Sequence, residues 1–350
     1  MNEKNKKAFF SSSYFMNNKK AVSLSILLNA VSACAPCDYG RLSKLPLDSS
    51  VPVEHREEVT FIREVRQFGI EQLGLNHCTQ HYTTYSKTDE EAKLFYRLFV
   101  TKPTVLPNAW DEASIYFENQ TNFREEVQAE YFISFVDTLE DELEYYKQEG
   151  YDVYTRNTTN YNPAGSKTGS SITPSFLNYA PEWQAHVVLH EICHDSLEEW
   201  IGAGFPSEMD ESFCVLVGHA GADEYFKARK GIFSQEYKTA FESFTNYEKH
   251  SSKVIQTYGE LQKLYQSTKP LSQKKEERKN IFAEINNLFS EEVNNALLWD
   301  RYPYVKYYPL MLQLYKSQNN SLRQTLEIMK DCPEKEEDAL KYIQKKVKNK

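Results

Sequence analysis

The stretch "VVLHEICHDSLEEW", residues 187–200, carries two histidines four positions apart, with a glutamate directly after the first. On a helix, residues at i and i+4 project from the same face, one turn apart. The imidazoles of His190 and His194 can therefore reach one zinc ion at about 2.0–2.1 Å. Glu191 lies on the adjoining face, where its carboxylate can take a proton from a water activated by the metal. The pattern predicts a zinc-binding helix; a core helix that happens to carry two histidines is the alternative.

The sequence around this stretch predicts a second helix that returns to the same place. Pro181 is a favourable first helical residue, and "IGAGFP" (201–206) ends the helix and reverses the chain. Ser207 to Asp210 then resemble a capping box that opens the next helix. Glu211 falls in the first turn of that antiparallel helix and is predicted to be the third metal ligand, which leaves a fourth position for water. Glu208, one turn earlier, and His219, two turns later, are the alternatives.

Several nearby side chains are candidates for supporting roles. Asp210 or Asp195 can hold a ligand imidazole by its other nitrogen, although either can also be a simple solvated acid. The developing oxyanion needs a further donor, and the candidates are His186, His219 and Tyr161. His186 lies one turn before His190, where a buried histidine without a catalytic role is the more ordinary interpretation.

The N-terminus has the pattern of a secretory signal. "AVSLSILLNAVSAC" (21–34) follows Lys19 and Lys20 and is too short to span a bilayer as a stable helix. Its end matches a bacterial lipoprotein signal, which predicts removal of residues 1–33 and a lipid on Cys34. The true start is then Met16, because the signal is complete from that residue. An ordinary signal peptide followed by a structural cysteine is the alternative.

These features predict an exported protein of the bacterial cell envelope, attached to the membrane by its lipid. Ala35 directly after the cysteine favours the outer membrane in a Gram-negative cell. The 350-residue chain has a formal net charge of −9, which argues against a nucleic-acid partner. No second apolar stretch approaches ~18 residues, so only the lipid is expected to contact the membrane. The six cysteines fix neither a disulfide pairing nor an oligomeric state.

Periodicity and turn residues divide the chain into regions. We expect a tether over 34–56, a zinc-site catalytic region over 57–235, and a helical region over 236–350 that packs on it and ends in a solvated tail. Within these regions the pattern predicts helices over 57–74 and 125–149, strands over 96–100, 113–117 and 151–154, and a long polar loop over 156–175. The predicted fold class is α+β and mostly helical, with a small sheet beside the motif helix. An edge strand of that sheet could align an extended peptide.

At this level of detail the chain resembles a known family. "LHEICHD" (189–195) followed by "DESFCVLVGHAGADEYF" (210–226) is similar to the putative aminopeptidase family of bacterial lipoproteins. The resemblance extends to three further segments, "IREVRQFGIEQLGL" (62–75), "YYKQEGYDVYTRNTTNY" (145–161) and "NNALLWDRYPYVKYYPLMLQL" (294–314). Cys193 and Asp210 depart from it, because the family usually has alanine and asparagine there.

The resemblance implies a zincin with glutamate as third ligand: His190, His194 and Glu211 bind Zn²⁺, and Glu191 is the catalytic base. The function it implies is a lipid-anchored zinc metallopeptidase with aminopeptidase activity on a peptide substrate. Two alternatives remain, a non-catalytic lipid-anchored binding protein and a zinc amidase that acts on non-peptide or cell-wall amides.

Overall fold

The chain folds mainly into helices, as the sequence predicts. The computed structural model describes residues 51–87, 95–106, 129–133, 136–158, 169–289 and 291–348. After a 3-10 turn at Val53–His55, the helices are α1 (Arg56–Phe68), α2 (Val136–Gln148), α3 (Pro174–Leu177), α4 (Pro181–Trp200), α5 (Ser207–Lys230), α6 (Gln235–Gln266), α7 (Leu271–Ala283), α8 (Asn295–Val305), α9 (Tyr308–Ser317), α10 (Leu322–Met329) and α11 (Glu336–Lys348). A single π turn, Gly69–Leu73, extends α1 and ends at Gly74, whose φ of 87° makes it the predicted C-terminal stop. Among the described residues, no helix combines the length and apolarity needed to cross a membrane.

Three antiparallel strands form a small sheet of order β2-β1-β3. These strands are β1 (Phe95–Thr101), β2 (Ala129–Ile133) and β3 (Asp152–Thr158), and Leu98 lies opposite both Tyr131 and Thr155. Successive side chains of a strand point to opposite faces. Leu98 and Val100 accordingly pack with α2 residues, while Phe99 packs with residues of α6 to α8. The predicted strands at 96–100 and 151–154 are confirmed, and the one at 113–117 lies outside the described residues.

The sheet packs mainly on α2 and α8, whereas we expected it beside the motif helix. α4 belongs to a separate, larger core with α1, α5 and the C-terminal helices, and this core runs from Val51 to Ile343. Residues of α2 pack on the face of the sheet that carries Leu98, and residues of α6 to α8 pack on the face that carries Phe99.

The predicted helix over 125–149 is wrong in its first part. Residues Ala129–Ile133 form β2, and the helix begins only at Val136. Helical spacing of apolar residues continues through both segments, but "AEYFI" is also rich in residues that favour strands, and β1 offers it a hydrogen-bonding partner. The helix ends at Gly150, with φ of 82°, as predicted. The predicted loop over 156–175 also begins later, because β3 continues to Thr158; residues 159–168 lie outside the described part of the chain.

Both ends of the fold are more ordered than predicted. Val51, assigned to the tether, is 2% exposed and belongs to the main core. The C-terminal segment is α11 rather than a solvated tail. Ala339 and Ile343, four residues apart on one face of α11, are completely buried against that core.

The burial of Ile343 predicts a measurable contribution of α11 to stability. Replacement by alanine should lower the free energy of unfolding by about 2–5 kcal/mol, because the change removes apolar contacts and leaves a cavity. Urea denaturation of Ile343→Ala beside Gln344→Ala, an exposed neighbour, measures the difference. Equal midpoints for the two variants would show that α11 is a solvated tail after all.

Candidate metal centre

The two helices that carry the motif approach each other unusually closely. A Cβ atom on Gly218 of α5 would lie 2.7 Å from His186 Nδ1 of α4, and one on Gly221 would lie 2.7 Å from Leu189 Cδ1. Gly69 gives the same close approach to Leu189 on the opposite side. A side chain at Gly218 would also lie 2.8 Å from the backbone oxygen of His186, so α4 would have to move. At Gly221 and Gly69 the side chain of Leu189 would have to shift. The glycines therefore set the distance between the metal-binding candidates of α4 and α5.

Three predicted ligands meet at this helix pair. His190 Nε2 and His194 Nε2 are 3.0 Å apart. Glu211 Oε2 lies 3.3 Å from the first nitrogen and 3.5 Å from the second. The three side chains are 11–24% exposed, so the group is open to solvent on one side. His190, His194 and Glu211 can hold a metal ion together.

The donor atoms fit a small divalent ion. In a tetrahedral site with bonds of about 2.0–2.1 Å, neighbouring ligand atoms are about 3.3 Å apart. The three measured separations lie within 0.3 Å of that value. Glu211 Oε2 is buried and has no well-oriented hydrogen bond among the described residues, as expected for an atom that a metal would satisfy.

The charges around the ligands favour an ionised Glu211 carboxylate beside a basic His194 imidazole. Burial alone would raise the pKa of Glu211, but the neighbouring His194 and His190 outweigh burial and lower that pKa well below its usual range. Burial likewise acts to lower the pKa of His194, yet the carboxylates of Asp210 and Glu211 raise it well above its usual range. This electrostatic coupling draws the three side chains together.

Of the two carboxylates considered for holding a ligand imidazole, Asp210 is the one that lies beside His194. Its Oδ1 lies 3.0 Å from His194 Nδ1, which fixes the ring so that Nε2 faces Glu211. The corresponding nitrogen of His190, Nδ1, is buried and has no hydrogen-bond partner among the described residues. Asp195, the other candidate, instead lies 3.5 Å from His81.

A second possible donor set shares His194 and Asp210 with Cys214. Cys214 donates to Asp210 Oδ1 at 3.4 Å. Burial, with the neighbouring Cys193, raises the pKa of the Cys214 thiol well above its usual range, and a protonated thiol is a poor ligand. Cys193, Cys214 and Cys332 are free, whereas Cys78 is disulfide-bonded.

The alternative third ligands are excluded by their contacts. Glu208 Oε1 accepts from Lys306 Nζ at 3.1 Å and is neutralised there. The ring of His219 packs between two other rings instead of at the ligands. Its centroid lies 4.2 Å from that of His186 and 4.6 Å from that of Tyr247. Burial, with nearby histidines, lowers the pKa of His219 to about 3 and that of His186 well below its usual range. His186 and His219 therefore form a neutral aromatic row behind His190.

Two predicted residues lie outside the described part of the chain, namely Tyr161 and Cys34. The capping-box interpretation of Ser207 is wrong in register, because Ser207 is already the first helical residue and Pro206 is the N-cap. The amides of Met209 and Asp210 donate to Pro206 O instead, each at 2.9 Å.

Tyr304 of α8 is a site residue that sequence analysis missed. Its ring centroid lies 6.5 Å from that of His190, and its hydroxyl accepts from Arg156 of β3 at 3.2 Å. Ser212, the neighbour of Glu211, fixes the position of Tyr304. The Ser212 hydroxyl donates to Pro303 O at 3.0 Å and accepts from Tyr307 N at 3.1 Å. Arg156 is in turn held 3.3 Å from the fully buried Asp300. Tyr304 and Arg156 come from distant segments, so no local motif indicates them.

The segment 76–86, which the sequence analysis did not assign to the site, lies against α4. Asn76 N donates to Ser196 Oγ at 2.9 Å, which fastens the segment to α4. Tyr82 is completely buried with φ of 58°, a left-handed conformation that is uncommon outside glycine. Burial, with the nearby Glu191 carboxylate, raises the pKa of Tyr82 well above its usual range.

The geometry predicts which substitutions weaken metal binding. Glu211→Gln should abolish tight binding because it removes the anionic donor, and Asp210→Asn should weaken it about 10–100-fold because it loosens His194. Cys214→Ala is the control and should bind as the unmodified chain does. Chelator competition measures the affinities; strong loss in Cys214→Ala with none in Glu211→Gln would assign the ion to the second donor set.

Comparisons with known proteins give a match to a family model but to no individual protein. No curated protein and no solved structure has a significant match to the chain. A family model described as putative aminopeptidase matches residues 131–340. The matched region contains α4, α5 and α8, which carry the three candidate ligands, Glu191 and Tyr304. It does not contain residues 76–86. The match covers more than half of the chain. The chain therefore belongs to the putative aminopeptidase family.

Proposed function

We propose that the chain is a zinc metallopeptidase that acts as an aminopeptidase and is attached to the cell-envelope membrane through a lipid on Cys34. The observation that carries the proposal is the convergence of His190 and His194 of α4 with Glu211 of α5, with donor atoms 3.0–3.5 Å apart. Glu191 directly follows the first of these ligands on α4. Two imidazoles and one carboxylate are the ligands of many catalytic zinc sites, where a fourth position stays open. The substrate is a peptide, and the acidic chain is not expected to bind nucleic acid.

A zinc ion held by these three side chains would lower the pKa of a water and polarise the scissile carbonyl. Glu191 is adjacent to the ligands and has no role in holding them. It takes the proton of the attacking water and delivers it to the leaving amine, the work of a general base and then a general acid.

Tyr304 is our candidate for stabilising the negative charge on the carbonyl oxygen. Its hydroxyl accepts a hydrogen bond from Arg156, and a tyrosine hydroxyl can act as a donor as well as an acceptor. The positive charge of Arg156 polarises that hydroxyl. The contact of Ser212 with Pro303 holds this part of α8 against the first turn of α5, so Tyr304 moves with the ligand Glu211.

The choice of aminopeptidase over other amide hydrolases is supported by family membership. A zinc amidase acting on cell-wall amides would use the same metal chemistry. A non-catalytic binding protein would need neither the open side of the ligand group nor a carboxylate beside it.

Replacement of Glu191 tests the enzyme directly. Glu191→Gln should retain zinc and lower peptide hydrolysis about 10²–10⁴-fold, because only proton transfer is lost. Glu198→Gln, an exposed change on the same helix, should hydrolyse peptides at the unmodified rate. Each substrate is offered with a free and an acetylated amino terminus, and products are identified by mass.

Three outcomes of that experiment would contradict the proposal. A folded chain without stoichiometric zinc would favour the binding protein. Cleavage of acetylated peptides at internal bonds would indicate an endopeptidase. Cleavage of cell-wall amides alone would identify the amidase.

Replacement of Tyr304 tests its assigned role. Tyr304→Phe should lower kcat about 10²–10³-fold with bound zinc and KM little changed, because the donor acts mainly on the transition state. Tyr302→Phe is a matched control from the same helix, where Tyr302 stacks on Tyr258 at 3.7 Å. A rise in KM at constant kcat would instead assign Tyr304 to substrate binding.

A further inference from the structure

Two large apolar side chains are exposed together at the turn that follows α5. In the described part of the chain eight large apolar side chains are exposed, and two of them, Ile232 and Phe233, are adjacent in sequence. We call these two residues the apolar end face. Phe233 is 84% exposed and Ile232 is 49% exposed. Scattered single residues of this kind need no explanation, but an adjacent pair among basic side chains does.

Helix pairing makes this turn project beyond the start of α4. His186 of α4 packs on His219 of α5, and His190 and His194 lie nearer to Glu211, so the two helices run antiparallel. α6 returns along α5, since Phe244 stacks on His219 with ring centroids 6.4 Å apart. Pro181, the first residue of α4, lies only five residues before His186, whereas Ile232 follows His219 by thirteen residues.

The turn that carries Ile232 and Phe233 is well defined. Gly231 has φ of 83°, and its amide donates to Phe226 O at 3.2 Å to close α5. Ser234 then caps α6 by accepting from Tyr237 N at 3.1 Å. Two large apolar side chains between fixed helix ends are held out of the core by the backbone itself.

Basic side chains surround this turn. Lys227, Arg229 and Lys230 occupy the last exposed turn of α5, and Lys238 is exposed at the start of α6. Glu236 offsets one of these charges, with its Oε1 3.9 Å from Lys230 Nζ. This positive cluster contrasts with the net charge of −9 of the whole chain. Exposed aromatic and aliphatic groups ringed by lysine and arginine fit the headgroup region of an anionic membrane.

We propose that the apolar end face docks on an anionic phospholipid bilayer, with Phe233 and Ile232 inserted at the headgroup level and the basic ring on the lipid phosphates. The inference rests on the proposed lipid anchor, which would bring the chain to a bilayer. α1, the first helix after Val51, packs on the same half of α5 through Phe61, whose ring lies 6.0 Å from that of Phe226.

The docked orientation sets the height of the metal centre. Glu211 and Lys230 lie near opposite ends of α5, which separates them by about 28 Å at 1.5 Å per residue. The ligand group thus faces the aqueous space above the bilayer, where peptides are dissolved.

Vesicle binding tests the docking face without the lipid. We would use the full chain carrying Cys34→Ala, which cannot be acylated, and sediment it with phosphatidylglycerol–phosphatidylethanolamine vesicles or with phosphatidylcholine vesicles. Phe233→Ser in this background should lower affinity for the anionic vesicles at least tenfold, because it removes the aromatic side chain that would be buried in the bilayer. Leu271→Ser, at another exposed apolar position on α7, should bind as the parent does. All variants share the same N-terminal segment, so their differences report only the substituted side chains.

The contribution of the basic side chains around the turn is measured separately. The triple change Lys227→Gln, Arg229→Gln and Lys230→Gln should weaken binding to anionic vesicles by about fivefold per charge, and added salt should then have less effect. Equal vesicle binding by all variants would overturn the proposal. So would a shift of the monomer–dimer equilibrium by Phe233→Ser with vesicle binding unchanged, because the face would then join two copies of the chain. Hydrolysis and acylation do not enter these measurements, so failure of the proposed function is separately visible as inactive protein or an unmodified Cys34.

Discussion

The close approach of α4 and α5 is the constraint on which the rest of the structure depends. Gly218 and Gly221 remove the side chains that would separate the helices, and His186 and Leu189 occupy the space gained. Only at this distance can a carboxylate in the first turn of α5 reach imidazoles in the middle of α4. The distance between the candidate ligands thus depends on backbone packing several turns away from them.

A second layer of contacts connects the helix pair to the remainder of the chain. Ser212 holds the end of α8 against α5, and Arg156 reaches across from β3 to the hydroxyl of Tyr304. The small sheet therefore contributes to the site by delivering one arginine, although it packs on α2 and α8. Asp300, completely buried, is tolerated because Arg156 and Arg301 lie 3.3 and 3.4 Å from its oxygens.

The sequence predicts local features well, because their causes are local. The i, i+4 spacing of His190 and His194, the reversal at 201–206 and the stops at Gly74 and Gly150 each depend on neighbours in the chain. Glu211 was predictable because the turn between the helices is short. Tyr304 was not, since its place depends on a serine in another helix and an arginine in a strand.

The wrong predictions have the same explanation. Residues 129–133 carry a helical spacing that continues into α2, but pairing with β1 decides their conformation, and periodicity contains no information about a partner strand. Ile343 lies in a strongly charged segment, so composition suggested solvent. Its burial depends on a groove formed by helices that are distant in sequence.

The position of all three candidate ligands within residues 190–211 has a consequence for how the protein reaches its native state. Closing a short loop costs little chain entropy, so the α4–α5 hairpin can form early, before β3 and α8 are in place. An ion captured at that stage would stabilise the hairpin against reopening. Tyr304 and Arg156, which depend on long-range contacts, would join later. Ligand assembly and completion of the surrounding cleft are thus separate events in folding, and the first does not require the second.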